Sequence, residues 1–435
     1  MFSFKNEKRR VKENKIIVVG AGISGLAAAK DLQTKGYNVT VLEATDKIGG
    51  RIDTDNSLGI PFEKGASWIH TPIGNPLTDL TKQTQSNIKV TDFDDTVAFY
   101  NDGTKIKSSD YWSAKKLFYK QHEQIDMYGK KNESYADVVS KYFESMRNDD
   151  LQKFFIANYV TFDTGETNKL SSTLYNYGEE YEGTDAVITN GYEKIPQYLA
   201  ENLTIQFNTK VHTIDYSLDK IQLNTSNGSY NADKVIVTVP LGVLKKEIIQ
   251  FKPDLPFEKK QAIKNIGMNH VNKFIVTFDK CFWHDSQFII LTKENPNKYS
   301  WYLNVNKTHE NCNALLTFAY GMDAVESEKR TDNQIKDEIY NNLKKIYKHQ
   351  TLYPTNLLRT KWSQDPNTHG GYSYTSTSTS MKDFDILAKD INSKIYFAGE
   401  HTSRDYFSTA HGAYLSGKRE ARKIIKLLRT SNFKL

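Results

Sequence analysis

The chain contains 435 residues, which is long for a single hydrophobic core and predicts two or three structural units. Hydrophobic residues make up 38% and charged residues 25%, a balance typical of a soluble globular protein. No apolar run approaches the roughly 20 residues of a membrane helix, and the N-terminal stretch MFSFKNEKRRVKENK lacks the apolar region of a secretory signal. We therefore expect a cytoplasmic protein without a membrane segment.

The cysteines, the histidines and the net charge argue against a disulfide-rich, a metal-binding or a nucleic-acid-binding protein. Cys281 and Cys312 are too few for a disulfide framework or a cysteine-rich zinc site, and the ten histidines lack ligand spacing such as H-E-x-x-H, so no metal is expected. The formal net charge is +6, and the basic clusters KNEKRRVK and KREARKIIK lie near the two ends. Such clusters are more typical of solvated faces than of nucleic-acid grooves, so no nucleic-acid partner is expected.

The first predicted elements form a βαβ unit. The apolar strand KIIVV is followed by Gly20, Gly22 and Gly25 in G-x-G-x-x-G spacing, then by a helix that ends near Gly36. The second strand, NVTVL, ends at Glu43. The glycines allow a tight turn, the helix N-terminus presents free N–H groups to a pyrophosphate, and a carboxylate accepts from ribose hydroxyls. The unit predicts a dinucleotide site without a 2′-phosphate and leaves NAD and FAD open.

The later elements alternate in type. Residues 86–190 are polar and predict helices and loops, and VIVTVPLGVLK predicts a buried strand that ends at Pro240. Residues 259–363 alternate strands with a charged helix. A buried strand then ends at Gly399, and a helix closes the chain. This order predicts an α/β protein in which the two ends and a middle segment build one nucleotide domain and a second domain is inserted twice.

One predicted strand carries an unexpected lysine. Residues 270–278 read HVNKFIVTF, and the alternation of a strand places Lys273 on the same face as Val271 and Ile275. From the strand alone, a solvated lysine is the expectation, because lysine is almost never fully buried without a partner.

Five motifs in fixed order carry a family resemblance. They are ATDKIGGRI after Glu43, GASWIH, TVPLGVLK, KWSQDPNTHGGYS and YFAGEHTSRDYFSTAHGAYLSG. Together they resemble the flavin-containing amine oxidases, a family that includes monoamine oxidases, polyamine oxidases and flavin-dependent lysine demethylases. The resemblance spans nearly the whole chain apart from residues 86–175. The C-terminal motif is most similar to the polyamine oxidase and demethylase branch.

The resemblance implies a two-domain fold with a Rossmann-like FAD domain and a mixed-sheet plus helical substrate domain. The implied FAD-binding segments are residues 10–85, 192–258 and 364–435. The implied substrate-binding segments are residues 86–191 and 259–363.

FAD is the implied cofactor. Family positions that contact it match residues in all three segments: Gly20, Gly22, Gly25, Glu43, Gly50, Arg51, Val211, Gly399, Glu400, Thr409 and Ala410. Arg51 would neutralise an FAD phosphate, and the helix that starts at Thr409 would face the flavin pyrimidine carbonyl. Gly371 stands where monoamine oxidases attach FAD to a cysteine, which predicts a non-covalent cofactor.

Four residues match catalytic positions of the family. Lys273 takes the place of a lysine that a water bridges to flavin N5, where burial would lower its pKa. Tyr372 matches one wall of an aromatic cage, and Thr409 stands where monoamine oxidases have the opposite tyrosine. His70 matches the active-site histidine of animal-type spermine and acetylpolyamine oxidases. Outside this context, a core tyrosine and a structural histidine are the alternatives.

An acidic stretch predicts the substrate. Glu179, Glu180, Glu182 and Asp185 precede the NGY motif, where the polyamine oxidase and demethylase branch has an acidic loop. Carboxylates there would steer a polycation, and a solvated turn is the alternative. A histone-type substrate is disfavoured because the helical insertion of the demethylases has no counterpart in this chain.

The expected function is a polyamine oxidase that acts on spermine, spermidine or acetylated derivatives. Hydride transfer to flavin N5 would give an aldehyde, a shorter amine and, with O2, hydrogen peroxide. A monoamine or L-amino-acid oxidase and a non-catalytic flavin-binding protein remain open. Neither Arg359 nor Arg404 lies in a motif that assigns it to a substrate carboxylate. The sequence carries no signal for the oligomeric state.

Overall fold

The computed structural model describes residues 12–431. Two sequence predictions concern residues that lie mostly outside that range: the lack of a secretory signal and the basic cluster KNEKRRVK. The chain divides into two compact units. Unit 1 comprises residues 12–50, 193–261 and the described residues from 384, and unit 2 comprises residues 51–192 and 262–383.

The strands of the described residues are, in chain order, β1 Lys12–Val19, β2 Tyr37–Leu42, β3 Thr54–Asp55, β4 Phe62–Glu63, β5 Trp68–Ile69, β6 Ile88–Val90, β7 Thr96–Phe99, β8 Ala186–Ile188, β9 Thr204–Gln206, β10 Val211–Asp215, β11 Ile221–Thr225, β12 Gly228–Ala232, β13 Lys234–Val237, β14 Gln250–Lys252, β15 Gly267–Met268, β16 Val271–Thr277, β17 Phe288–Leu291, β18 Trp301–Asn304, β19 Ala314–Tyr320, β20 Asn356–Arg359, β21 Ser373–Tyr374 and β22 Ile395–Phe397.

The α-helices of the same residues are α1 Ile23–Thr34, α2 Pro76–Gln83, α3 Ser108–His122, α4 Ile125–Tyr128, α5 Tyr135–Tyr142, α6 Glu144–Asn148, α7 Asp150–Ile156, α8 Lys194–Ala200, α9 Leu241–Lys245, α10 Phe257–Asn265, α11 Gly321–Glu328, α12 Asp332–Tyr347, α13 Met381–Ala388 and α14 Ala410–Ser431. Within residues 12–431, no helix is both long enough and apolar enough to cross a bilayer.

Unit 1 is built on a parallel sheet in the order β22-β13-β1-β2-β9. The strand β1 is central and its residues Ile16, Ile17 and Val18 are fully buried, as a strand covered on both faces requires. Helix α1 packs on α14, and a Cβ on Gly417 would lie 2.0 Å from the Ser24 oxygen, so glycine is what permits this close approach. A second sheet, β12-β11-β10-β14, completes the unit.

Unit 2 is built on a six-stranded sheet in the order β20-β16-β19-β18-β17-β7. The strand β16 lies between β20 and β19 and pairs with both in antiparallel register. One face of the sheet carries Phe274 and Val276 and packs on α12. The other face carries Val271 and Ile275 and packs on the helices of residues 108–156. The alternation predicted for this strand is therefore confirmed, as is the α/β class of the fold.

Two local predictions need correction. The strand predicted to end at Pro240 ends at Val237, and Pro240 precedes α9. Residues 86–190, predicted as helices and loops, also contain β6, β7 and β8. The strand β7 forms because it pairs in parallel with β17, and such a distant partner leaves no local sequence pattern.

The packing units differ from the predicted domain boundaries at residues 51–85 and 364–383, which pack in unit 2. The Lys273 ammonium donates to the backbone oxygen of Glu63, and β21 pairs with β15, so each of the two segments has a contact with another part of unit 2. The assignment of these segments to FAD stays a prediction, because it concerns ligand contacts rather than packing.

Candidate active site

The glycine turn of unit 1 joins β1 to α1. Gly20 has φ of 106°, in the left-handed region, and a Cβ on Gly25 would lie 2.0 Å from the Gly20 oxygen. Gly22 is the N-cap of α1 and brings no side-chain oxygen to the free N–H groups, and the first turn has no acidic residue. A Cβ on Gly22 would meet only the Gly49 oxygen, at 3.9 Å. The start of α1 is therefore open to an anion.

The carboxylate of Glu43 folds back on this turn. Its Oε2 accepts a hydrogen bond from the Ala21 N–H at 2.7 Å, and its Oε1 accepts from the N–H and the hydroxyl of Thr45, both at 2.9 Å. A carboxylate has about four acceptor positions. Glu43 is thus held beside the turn with capacity for a further hydroxyl donor.

A second glycine loop lies against the first. The Gly49 N–H donates to the Ala21 oxygen at 2.9 Å. Gly49 and Gly50 have φ of 106° and 60°, conformations that favour glycine. The backbone at these positions can approach a ligand without a side chain in between.

The C-terminal segment of unit 1 places Gly399 and Glu400 after β22. Gly399 has φ of 127°, and its N–H donates to Ser416 Oγ at 2.8 Å. Glu400 is buried, and its Oε2 accepts from the Ser408 N–H at 2.9 Å. Gly399 is therefore fixed by a residue of α14, and Glu400 by the segment that leads into that helix.

Thr409 caps α14, which begins at Ala410. Its Oγ1 accepts from the Gly412 N–H at 2.9 Å and donates to the Tyr406 oxygen at 2.8 Å. The hydroxyl is thus committed to the helix start. Val211 is buried at the first position of β10. The contacts predicted for Thr409, Ala410 and Val211 with FAD stay predictions.

In unit 2, Lys273 points inward. The lysine is 5% exposed, and its Nζ donates to the backbone oxygen of Glu63 at 2.9 Å, to the backbone oxygen of Gly65 and to Ser67 Oγ. Burial lowers the pKa of Lys273 to about 7, and the Glu63 carboxylate partly opposes this shift. The ammonium also lies 5.7 Å from the centroid of the Trp68 ring. The lysine is therefore held by one short segment, residues 63–67.

Aromatic side chains surround the same face of the sheet. Trp301 stacks on Phe318 with centroids 4.7 Å apart, and Phe162 meets Phe318 edge-on at 5.1 Å. The hydroxyl of Tyr372 donates to the backbone oxygen of Phe162, and burial raises the pKa of Tyr372 well above its usual value. Tyr372 is therefore a neutral phenol fixed at an aromatic wall.

His70 pairs with one of the predicted acidic residues. Its Nδ1 lies 2.7 Å from Asp185 Oδ2, and Asp185 Oδ1 accepts from the Thr71 N–H at 2.9 Å. Desolvation acts to lower the pKa of His70, but Asp185, with smaller contributions from Asp163 and Glu180, raises it overall. The pair favours a protonated histidine that neutralises part of the surrounding negative charge.

Asp163 interacts electrostatically with His70 and Asp185, although no sequence motif indicated a role for it. Solvent reaches its side chain, and its carboxylate makes no hydrogen bond with any residue of the described chain. The surrounding protein raises the pKa of Asp163 to about 7; His70 acts in the opposite direction, and Asp185 and Glu180 add to the rise. Its segment, residues 86–175, carried no interpretable motif, which is why the sequence did not reveal it.

The other predicted acids are exposed. Glu179, Glu180 and Glu182 all face solvent, and the Glu182 oxygen accepts from the Ile73 N–H at 2.8 Å. Among the four predicted substrate residues, the structure thus ties Asp185 to His70, gives Glu180 a longer-range charge effect and leaves Glu179 and Glu182 at the surface. In residues 12–431, no group of three His, Cys, Asp or Glu side chains is arranged to hold a metal ion.

Comparison with known proteins identifies the family. A family described as "Flavin containing amine oxidoreductase" matches residues 23–425. The chain belongs to this family. It is 31% identical to "Polyamine oxidase 4" of Oryza sativa subsp. japonica over 94% of this chain and 88% of that protein. It is 30% identical to "Probable polyamine oxidase 4" of Arabidopsis thaliana over 94% of this chain and 87% of that protein.

A second group of relatives carries a different name. "Lysine-specific histone demethylase 2" of Homo sapiens is 31% identical over 94% of this chain, but the chain spans 53% of that protein. The comparisons therefore agree on the family and on the chemistry of amine oxidation, while the relatives' names divide between two kinds of substrate.

As a flavin-containing amine oxidoreductase, the protein is an FAD-dependent enzyme that oxidises amines with O2 as the acceptor. The residues present fit the cofactor. The open start of α1 at Gly22 suits a pyrophosphate, and the carboxylate of Glu43 suits a ribose hydroxyl. In unit 2, the Arg51 guanidinium donates to the Gly371 oxygen at 2.7 Å, and it has five N–H donors in all. The role of Arg51 at a phosphate stays a prediction.

Proposed function

We propose that this FAD-dependent amine oxidase acts on polyamines such as spermine, spermidine or their acetylated derivatives. The observation that carries the proposal is the group of carboxylates around His70. Asp185 pairs with the imidazole at 2.7 Å, and Asp163 is an accessible acid without a hydrogen-bond partner among the described residues. A second cationic group on the substrate would find its counter-charge there.

Different residues of the chain would bind the substrate, exclude water and hold a proton. When bound, FAD supplies the acceptor for the hydride that leaves the carbon next to the reacting nitrogen. Asp163 and Asp185 would hold a distal ammonium, so that the amine is oriented at one end. Aromatic rings such as Phe318 would exclude water around the other end, which favours the neutral amine that must react. Lys273 would hold or release a proton at Nζ, since its pKa of about 7 allows both states near neutral pH.

The two arginines considered for an amino-acid substrate are engaged elsewhere. Arg359 pairs with Asp332 at 2.8 Å and donates to two backbone oxygens. Arg404 pairs with Asp385 at 3.1 Å. An L-amino-acid oxidase needs a cation for the substrate carboxylate, so these pairings support an amine without a carboxylate.

A panel of substrates tests the proposal. Hydrogen peroxide would be measured with spermine, spermidine, acetylated polyamines, monoamines, L-amino acids and a methylated lysine peptide. We expect kcat/KM for at least one polyamine to exceed that for the monoamines by about 10- to 150-fold, because a paired distal charge contributes about 1.5–3 kcal/mol. Higher kcat/KM with an L-amino acid, a monoamine or the methylated peptide would contradict the proposal.

A further inference from the structure

The ammonium of Lys273 meets three acceptors, one for each of its N–H donors. Two are the backbone oxygens of Glu63 and Gly65, and the third is the hydroxyl oxygen of Ser67. All three belong to one five-residue segment. Ser67 is 8% exposed and Lys273 is 5% exposed, so solvent has little access to this arrangement.

The three acceptors differ in what they can do when the lysine loses its proton. An ammonium has three donors and no acceptor, whereas a free amine has two donors and one lone pair. The oxygens of Glu63 and Gly65 are carbonyls and can only accept. The hydroxyl of Ser67 can accept from the ammonium and, after a rotation, donate to the lone pair of the amine. Ser67 is thus the partner of Lys273 in this segment that fits both states.

Among the described residues around Lys273, few other groups could hydrogen-bond to both the ammonium and the free amine. On the segment itself, Glu63 carries a carboxylate, and Lys64 is paired with Asp53 at 2.8 Å. From β19 the facing residue is Phe318, and after β20 the Thr360 hydroxyl accepts from the backbone N–H of Lys273 at 2.9 Å. The Glu63 carboxylate acts on the lysine through its charge, while its own hydrogen bonds go to other residues.

We propose that Ser67 is a positioning residue for Lys273, accepting a hydrogen bond from the ammonium and donating one to the free amine. In the ammonium state, Nζ–H donates to Ser67 Oγ. When the proton leaves Nζ for water, the Ser67 O–H turns to the Nζ lone pair, and the side chain keeps its place. The catalytic use of Lys273 rests on the proposed function, but its hydrogen bonding with Ser67 does not.

A titration of the lysine itself tests the inference. In the FAD-loaded protein grown with ¹³Cε-labelled lysine, the signal of Lys273 is identified by its absence in Lys273→Met and followed against pH by NMR. Ser67→Ala removes a partner that binds the charged state more strongly than the neutral one. We expect the midpoint to fall by about 0.5–1 pH unit. Ser67→Thr restores the hydroxyl and should return the midpoint to within about 0.2 unit of the wild type.

Two further variants complete the test. Ser67→Cys keeps the number of heavy atoms but offers a weakly hydrogen-bonding thiol, so it should shift the midpoint in the same direction as Ser67→Ala. It serves if Ser67→Ala does not fold. Ser172→Ala removes another buried serine, whose hydroxyl donates to the Glu133 oxygen at 2.9 Å, and should leave the midpoint unchanged. A midpoint that stays at the wild-type value, or rises, in both Ser67→Ala and Ser67→Cys overturns the inference.

The pH profile of kcat/KM separates this inference from the proposed function. If Lys273 acts in turnover, the profile of Ser67→Ala should move by the same amount as the NMR midpoint. A shifted NMR midpoint with an unshifted profile would support the positioning role of Ser67 and count against the catalytic role of Lys273.

Discussion

Lys273 and Glu63 interact through both the backbone and the side chain of the glutamate. The lysine Nζ donates to the Glu63 backbone oxygen at 2.9 Å. The Glu63 carboxylate is itself held by the Thr54 hydroxyl and the Tyr192 N–H, each at 2.8 Å. One residue therefore positions the ammonium and also supplies a nearby negative charge that favours its protonated state.

Replacing the lysine tests its role in turnover. We expect Lys273→Met to retain the fold and bound FAD and to lower kcat by about 100-fold, because a positioned proton-holding group is lost. Lys293→Met is the matched control, since Lys293 also lies in unit 2 and burial lowers the pKa of its side chain to about 8. Steady-state kinetics and flavin absorbance are measured for both variants. Wild-type kcat in Lys273→Met would exclude the role.

Replacing the glutamate tests the charge. Burial lowers the pKa of Lys273 to about 7, and the Glu63 carboxylate raises it, so Glu63→Gln should lower the pKa further. The corresponding midpoint in the pH profile of kcat/KM should move to lower pH by about 0.5 unit or more. Glu133→Gln, which removes a carboxylate paired with Lys141 elsewhere in unit 2, should leave the midpoint in place. A midpoint that moves to higher pH would contradict this account of the electrostatics.

Asp163 should make polyamine binding depend on pH. Because the pKa of its carboxyl is raised to about 7, Asp163 is largely neutral below that pH and charged above it. We expect KM for spermine to fall as the pH rises from about 6 to 8. Asp163→Asn should raise KM at the upper end of this range by about tenfold and flatten the dependence.

The exposed Glu179 provides the control for Asp163. Glu179→Gln also removes one negative charge, but from an exposed residue of the acidic stretch. The KM of this variant for spermine and the pH dependence of that KM should remain close to those of the wild type. If the two variants behave alike, net charge rather than the position of Asp163 governs binding.

Two glycines of the turn separate cofactor binding from folding. A Cβ on Gly25 would lie 2.0 Å from the Gly20 oxygen, so Gly25→Ala should disrupt the turn and lower the melting temperature. Gly22 has φ of −71°, which alanine adopts readily, and its Cβ would meet only the Gly49 oxygen at 3.9 Å. Gly22→Ala should therefore keep the melting temperature of the apoprotein but bind FAD at least about tenfold more weakly, because the methyl group occupies space at the helix start. Unchanged FAD affinity in Gly22→Ala would place the pyrophosphate elsewhere.

The sequence predicted what local pattern and spacing determine. The turn at Gly20 and Gly22, the acidic residue Glu43 directly after β2 and the alternation of β16 each depend on neighbouring residues, and the structure contains all three. The family followed from five motifs in order, and the family match confirms it.

The remaining features depend on distant contacts. Nothing near Lys273 in the sequence indicates that its ammonium reaches Ser67, some 200 positions earlier. Asp163 acquires its raised pKa from desolvation by the surrounding protein, with smaller contributions from Asp185 and Glu180. The four acids that precede NGY cannot be told apart in the sequence, and only the fold places Asp185 beside His70. The charge and hydropathy of a residue can be read from the sequence. Its hydrogen-bond partners and the shift of its pKa depend on contacts between segments that are distant in the sequence.

A buried lysine in unit 1 gives a prediction on stability alone. Lys259 is 2% exposed, and its Nζ donates to the backbone oxygens of Ile386, Leu387 and Lys389 at 2.7, 2.9 and 2.7 Å. These oxygens belong to the last turn of α13 and to the residue that follows it, a position where the last carbonyls of a helix lack intrahelical partners. Lys259→Met would remove the ammonium donor from all three buried oxygens, and of these the Ile386 oxygen would keep the Lys389 N–H at 3.3 Å. We expect the substitution to lower the free energy of unfolding by about 2–3 kcal/mol. The neighbouring Lys260 is exposed and paired with Asp254 at 2.6 Å, so Lys260→Met should change that free energy by less than about 0.5 kcal/mol. Thermal melts of the two variants decide the matter: equal melting temperatures would mean that the three carbonyls find other donors when the lysine is absent.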